Sequence, residues 1–193
     1  MGFWDDLQNW LQALFQPPGE QPRPLQPPGE QPASLRPRVL LITFNPTVPS
    51  EGGRTLIEVL RWRDVDRLCQ EYMADLLECS KGFVDYQIVE RIQVDAWPVK
   101  ADGFCYSGDS FLNCWRSKRG FHEPDTVDYE AIIEEFDLLA RVNADRIDEV
   151  WLFGFPYAGF YESIMVGPGA FWCNAPAMRR NDVDRRFVIM GFN

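Results

Sequence analysis

Hydrophobic positions change period several times along the chain, and each change marks an element. In residues 3–15, FWDDLQNWLQALF, Phe3, Trp4, Leu7, Trp10, Leu11, Leu14 and Phe15 recur at spacings of three and four. That is one apolar stripe on a helix. Asp5 and Asp6 stand in its first turn, where acids suit the helix dipole. The pattern then stops, and QPPGEQP occurs at 16–22 and again at 26–32. Proline favours polyproline II and forbids helix, so residues 17–38 predict an extended spacer. The organisation is therefore an amphipathic helix over 1–16, a Pro-rich repeat linker over 17–38 and a domain over 39–193.

Within the domain, RVLLITFNP at 38–46 is a continuous apolar run that stops at Asn45-Pro46, a buried strand entering a turn. TLIEVLRW begins a short helix. Asp64 can cap a second one, whose stripe runs through Val65, Leu68, Cys69, Tyr72, Met73, Leu76 and Leu77 to a stop at Gly82. Residues 84–96 switch to a period of two: Val84, Tyr86, Ile88, Ile92, Val94 and Ala96 alternate with polar residues, as in a strand with one wet face. The Asp-Gly in KADGF at 100–104 predicts a hairpin. A helix capped by Asp125 follows to about 142, with Ile132, Ile133, Phe136, Leu139 and Ala140 on its apolar face. IDEVWLFG at 147–154 and RRFVIMGFN at 185–193 are two more buried strands. A short helix over about 158–166 lies between them, bounded by Pro156 and Gly167. This order predicts an α/β layered domain with a largely parallel central sheet plus an antiparallel hairpin. Ending on a core strand, the chain is expected to be a C-terminally truncated fragment.

Composition narrows the functions. Apolar residues make up 46% of the chain, with 14 Phe, 7 Trp and 6 Tyr for a core or a ligand surface. The formal charge of −10 repels phosphate polyanions, which argues against nucleic acid as a partner. One histidine, His122, and five cysteines without a Cys-x-x-Cys exclude a zinc ribbon, a thioredoxin-type motif and any site of several histidines. The metal site compatible with this composition is a divalent cation held by carboxylates. The acidic start and broken apolar pattern do not make a secretory leader, and residues 3–15 are too short and polar to span a bilayer, so the default compartment is the cytoplasm. Those residues suit a protein groove or a membrane surface, and equally the chain's own domain.

The stretch GFPYAGFYESIMVGPGAFWCNAP at 154–176 holds one carboxylate, Glu162, among aromatic, small and proline residues. Such an acid is costly unless paired, metal-bound or protonated. It reads as a general acid or base or a metal ligand, or as a structural acid pairing with an arginine such as Arg54 or Arg179. Ligands bind beyond the carboxyl ends of parallel strands. There Asn45, Tyr157 and Asn193 open onto one edge, and the loop of Glu51 and the segment of Glu162 rise from it. Arg54, in SEGGRT, can hold an anionic group, and its glycines read equally as a hinge. Trp172, Asn174, Tyr157 and Tyr161 suit a pocket for a sugar ring or another flat ligand, or a filled core. The loop with Asp102 and Asp109 reads as turn chemistry before a cation site. A dyad of Cys173 with His122 is a further, weaker arrangement.

The motifs D-E-V-W, G-x-P-x-x-G-x-x-E-S-x-M and G-P-G-A-F-W-x-N, together with VDAWPVKADGFCYS and RRFVIMGFN, resemble an uncharacterised bacterial domain family across residues 38–193. The resemblance implies a domain found in many, often longer, envelope-associated or secreted chains, and implies no activity. Two readings compete. One is a hydrolase-type enzyme acting on a polar small molecule or a glycan or peptide group, with Glu162 as base or metal ligand, Asn45 and Asn174 orienting substrate and Tyr157 as a wall. The other is a non-catalytic binding module tethered by the helix and spacer. A third places recognition in residues 3–15.

Overall fold

The computed structural model describes residues 34–192, so the helix expected over 1–16, most of the expected repeat linker and Asn193 lie outside the described residues. The three continuous apolar runs form adjacent central strands: β1 (Arg38–Phe44), β5 (Glu149–Phe153) and β7 (Phe187–Phe192). With β4 (Gln87–Val94) they run parallel, and β6 (Ser163–Val166) pairs antiparallel with β7, giving the order β4-β1-β5-β7-β6. β4 is an edge strand, and this is why it alternates while its neighbours are apolar throughout. Pairing begins before β1: Leu35 bridges Val84, and the Pro37 carbonyl accepts from the Gln87 N–H at 2.8 Å.

Both faces are covered. The apolar stripe of α2 (Val65–Cys79) packs against Val39, Leu41, Trp151 and Phe153. Asp64 caps α2 by accepting from the Arg67 N–H at 2.9 Å. On the other face α3 (Gly108–Ser117), α4 (Tyr129–Glu135) and α5 (Leu138–Asn143) bury Phe111, Leu112, Ile132, Ile133, Leu138 and Val142 against Leu40, Ile42, Val150 and Leu152. Between β1 and α2, the short strands β2 (Thr47–Val48) and β3 (Arg54–Thr55) form the antiparallel hairpin and lead into α1 (Leu56–Leu60).

Three expectations are corrected. The hairpin lies at 47–55. Residues 100–104 make only a tight turn, in which the Lys100 N–H donates to the Phe104 carbonyl. The helix expected from Asp125 to about 142 is two helices, α4 and α5, broken where Asp137 adopts φ +49°. Asp128 is the cap, accepting from the Ala131 N–H, while Asp125 is drawn to Lys100. The helix expected over 158–166 is instead β6, with Ser163 opposite Met190 and Val166 opposite Phe187. Gly191 in β7 makes that crossing possible, since a Cβ there would meet the Tyr161 carbonyl oxygen at 2.4 Å.

The chain leaves β1 towards β4 and leaves β5 towards β6 and β7, in opposite directions across the sheet. The crevice above the carboxyl ends of β1 and β5 is therefore a topological switch point. At the other end of the sheet Arg38 and Arg185 both bond to Asp148. Burial pushes the Asp148 carboxyl up, but the arginines outweigh it and hold the group below its ordinary range.

Candidate functional site

A cleft of about 680 Å³ opens at this switch point. Its first wall comes from the chain after β1: Ile57 of α1, Trp62 and Arg63 of the connection, and Val65, Leu68 and Tyr72 of α2. Its second comes from Phe153, Gly154 and Pro156 at the end of β5, from Glu162, and from Gly191 and Phe192 at the end of β7. The amphipathic stripe of α2 explains the first wall, because its N-terminal turns overhang the sheet and leave Leu68 and Tyr72 only partly covered. The rings brace one another. Phe153 and Phe192 stack at 4.6 Å, and Tyr72 meets Phe192 and Trp151 edge-on, each at 5.4 Å. Trp62 is held by Trp115 at 5.5 Å.

Among the described residues, Glu162 is the one carboxylate that lines the cleft. It is exposed, so the cost inferred from its apolar sequence neighbours does not arise. Its segment is fixed at both backbone groups: the N–H donates to Asn174 Oδ1 at 3.2 Å, and the carbonyl accepts from the Gly191 N–H at 3.2 Å. Among the described residues, its carboxylate has no hydrogen-bond or ion-pair partner. Asn174 thus joins Glu162, as a support for its backbone.

The other candidate residues reach the same end of the sheet but turn to other tasks. Asn45 Oδ1 accepts from the Ile57 N–H at 3.1 Å, satisfying a donor in the first turn of α1. Replacing Asn45 with alanine is expected to cost about 1 kcal/mol in urea unfolding. An unchanged midpoint would show that this bond contributes nothing. Glu51 and Arg54 pair with each other at 3.0 Å, and Glu51 also takes Arg116 at 2.5 Å. Tyr157, at φ +67°, stacks on Phe121 at 3.5 Å, and its neighbour Pro156 is the residue that lines the cleft. Trp172 is 65% exposed and does not line the cleft. Cys173 packs beside Met165, Ala170 and Val188, whereas His122 bonds Asp102 at 2.8 Å and stacks on Phe104. Asp109 accepts from Ser50. Among the described residues no group of three or more His, Cys, Asp or Glu is arranged to hold a metal ion. No helix among them is long and apolar enough to cross a membrane.

Sequence reasoning missed most of the walls, as well as a second acid. Glu149, 3% exposed at the start of β5, accepts from the Tyr86 hydroxyl at 2.9 Å and from Trp151 Nε1 at 3.1 Å. Burial pushes its carboxyl up to about 7, although the hydrogen bonds from Trp151 and Tyr86 pull it down. The signal was present in IDEVWLFG, where an acid opens a strand that is otherwise buried throughout. Comparisons of the chain with family models, with curated proteins and with solved structures found no match.

Proposed function

We propose that this domain is a small-molecule-binding module whose site is the cleft between α2 and the carboxyl ends of β5 and β7. The observation that carries the reading is the cleft's position at the switch point, the place where α/β sheets hold ligands. Its walls support it: four aromatic residues and several aliphatic ones surround a single carboxylate, a composition suited to binding an apolar or aromatic body and orienting one polar group. Hydrolysis with Glu162 as base is the less supported use of the same cleft. Among the described residues no histidine, cysteine, serine, lysine or second acid lines it, so apart from the Tyr72 hydroxyl the lining offers Glu162 no group for proton transfer or nucleophilic attack.

The test is a thermal-shift screen of soluble aromatic fragments on the full chain and on Leu68→Trp, which fills the cleft from α2. At ten times its Kd a fragment stabilises the protein by about 1.4 kcal/mol. Hits on the wild type are expected to lose that gain in Leu68→Trp. Fragments that stabilise both proteins equally bind elsewhere, and the cleft would not be the site.

A further inference from the structure

We infer that the cleft selects an organic cation, an ammonium or similar group carried on an aromatic or apolar body. The inference rests on the reading of the cleft as a ligand site and names the chemistry of its ligand.

Among the described residues two charged side chains line the cleft, Arg63 and Glu162. They differ in what they already hold. Arg63 has a counter-ion in Glu71 at 3.4 Å, which also takes Arg67 at 2.8 Å. The Glu162 carboxylate has no partner among the described residues, while both backbone groups of that residue are pinned. Among the described residues, the Glu162 carboxylate is therefore the charged group of the cleft that lacks a counter-ion, and its backbone is held in place.

The walls favour the same sign. Trp62, Tyr72, Phe153 and Phe192 line the cleft, and aromatic rings attract cations through their quadrupoles and gain little from anions. A neutral ligand would fill the apolar walls yet strip water from Glu162 without replacing it. A carboxylate or phosphate ligand would add repulsion to that loss, and the chain's net charge of −10 opposes its approach. A cation gains the rings, the carboxylate and the long-range field together.

Three probes share one body and differ only in the head group: 2-phenylethylammonium, 2-phenylethanol and 3-phenylpropionate. Each is titrated into the ¹⁵N-labelled full chain, following the Trp62 indole N–H and the Gly191 amide. The ammonium is expected to bind about tenfold more tightly than the alcohol, with the propionate weakest. Glu162→Gln should erase the advantage of the ammonium by weakening its binding, without weakening the alcohol. That exposed substitution alters the net charge by one, so the overall field persists and the local carboxylate is what is tested. If the alcohol or the propionate binds as well as the ammonium, or if Glu162→Gln keeps the preference, the cation inference is overturned while the cleft remains a ligand site. If none of the three moves either signal at millimolar concentration, the ligand-site reading fails and the inference with it.

Discussion

Replacing Glu149 with glutamine is expected to make the domain more stable by about 3 kcal/mol at pH 8, and by under about 1 kcal/mol at pH 5. The sign follows from the burial of this acid. Its carboxyl titrates at about 7 in the fold, against 4.5 as its ordinary value. The native state therefore binds more protons than the unfolded chain between those values, and its stability falls as pH rises through that window. Below the window both states are protonated and no penalty exists; above it the full cost of an ionised buried acid is present. Glutamine mimics the protonated form at every pH. Its carbonyl oxygen can accept from Trp151 Nε1, and its amide can donate to the Tyr86 oxygen. The neighbouring charge does not confuse the reading, because Asp148 keeps both arginines in wild type and variant alike. Urea unfolding of the two proteins from pH 5 to 8 measures the difference directly. A variant less stable at pH 8 would mean that the two charged hydrogen bonds outweigh desolvation. The acid also has a place in the working layer. Trp151 links it to Tyr72, and Tyr72 lines the cleft, so the same edge-on contacts that brace the site stand on a group half-titrated near neutrality.

The strands were legible in the sequence for the same reason that they are central: parallel strands buried on both faces need unbroken apolar runs, and three such runs exist. Asp64 was legible as a cap because it directly precedes an apolar stripe of helical period. β6 was not legible. Four residues ahead of Gly167 carry no period of their own, and pairing with β7 decides their state. The helix at 108–117 was hidden by its opening, since Ser107-Gly108-Asp109 reads as a turn until Ser107 and Ser110 are seen to cap each other. For the site, position was readable and direction was not. Asn45, Tyr157 and Glu162 all leave strands at the predicted edge or approach it, but only Glu162 lines the cleft. Trp62 and Arg63 became wall residues because two helices meet there at a bend, a feature of packing with no local signature.

Removing the carboxylate of Asp125 is expected to cost more than removing the lysine that it pairs with. Lys100 is completely buried, with Nζ at 2.5 Å from Asp125 Oδ1 and 2.7 Å from the Tyr157 carbonyl. The Asp125 side chain is 31% exposed. Asp125→Ala leaves a buried ammonium with one neutral acceptor and the Tyr106 ring at 5.8 Å, a loss of about 3–5 kcal/mol. Lys100→Met removes the charge, keeps most of the volume and lets the partly exposed Asp125 hydrate. What remains is the unpaired Tyr157 carbonyl, about 1–3 kcal/mol. The double variant should then be more stable than Asp125→Ala alone, an inversion that additive losses cannot produce. If both single variants lose equally and the double variant loses their sum, the pair is not acting as a buried charge and its counter-ion. The consequence extends to the cleft. Lys100 fastens the chain just after β5, where Tyr157 sits left-handed and Gly159 leaves room for Nζ, since a Cβ there would lie 2.7 Å away. That segment carries Pro156, which lines the cleft, and leads on to Glu162. Asp125→Ala should therefore weaken 2-phenylethylammonium binding even in the fraction of protein that stays folded, whereas Lys100→Met should weaken it less.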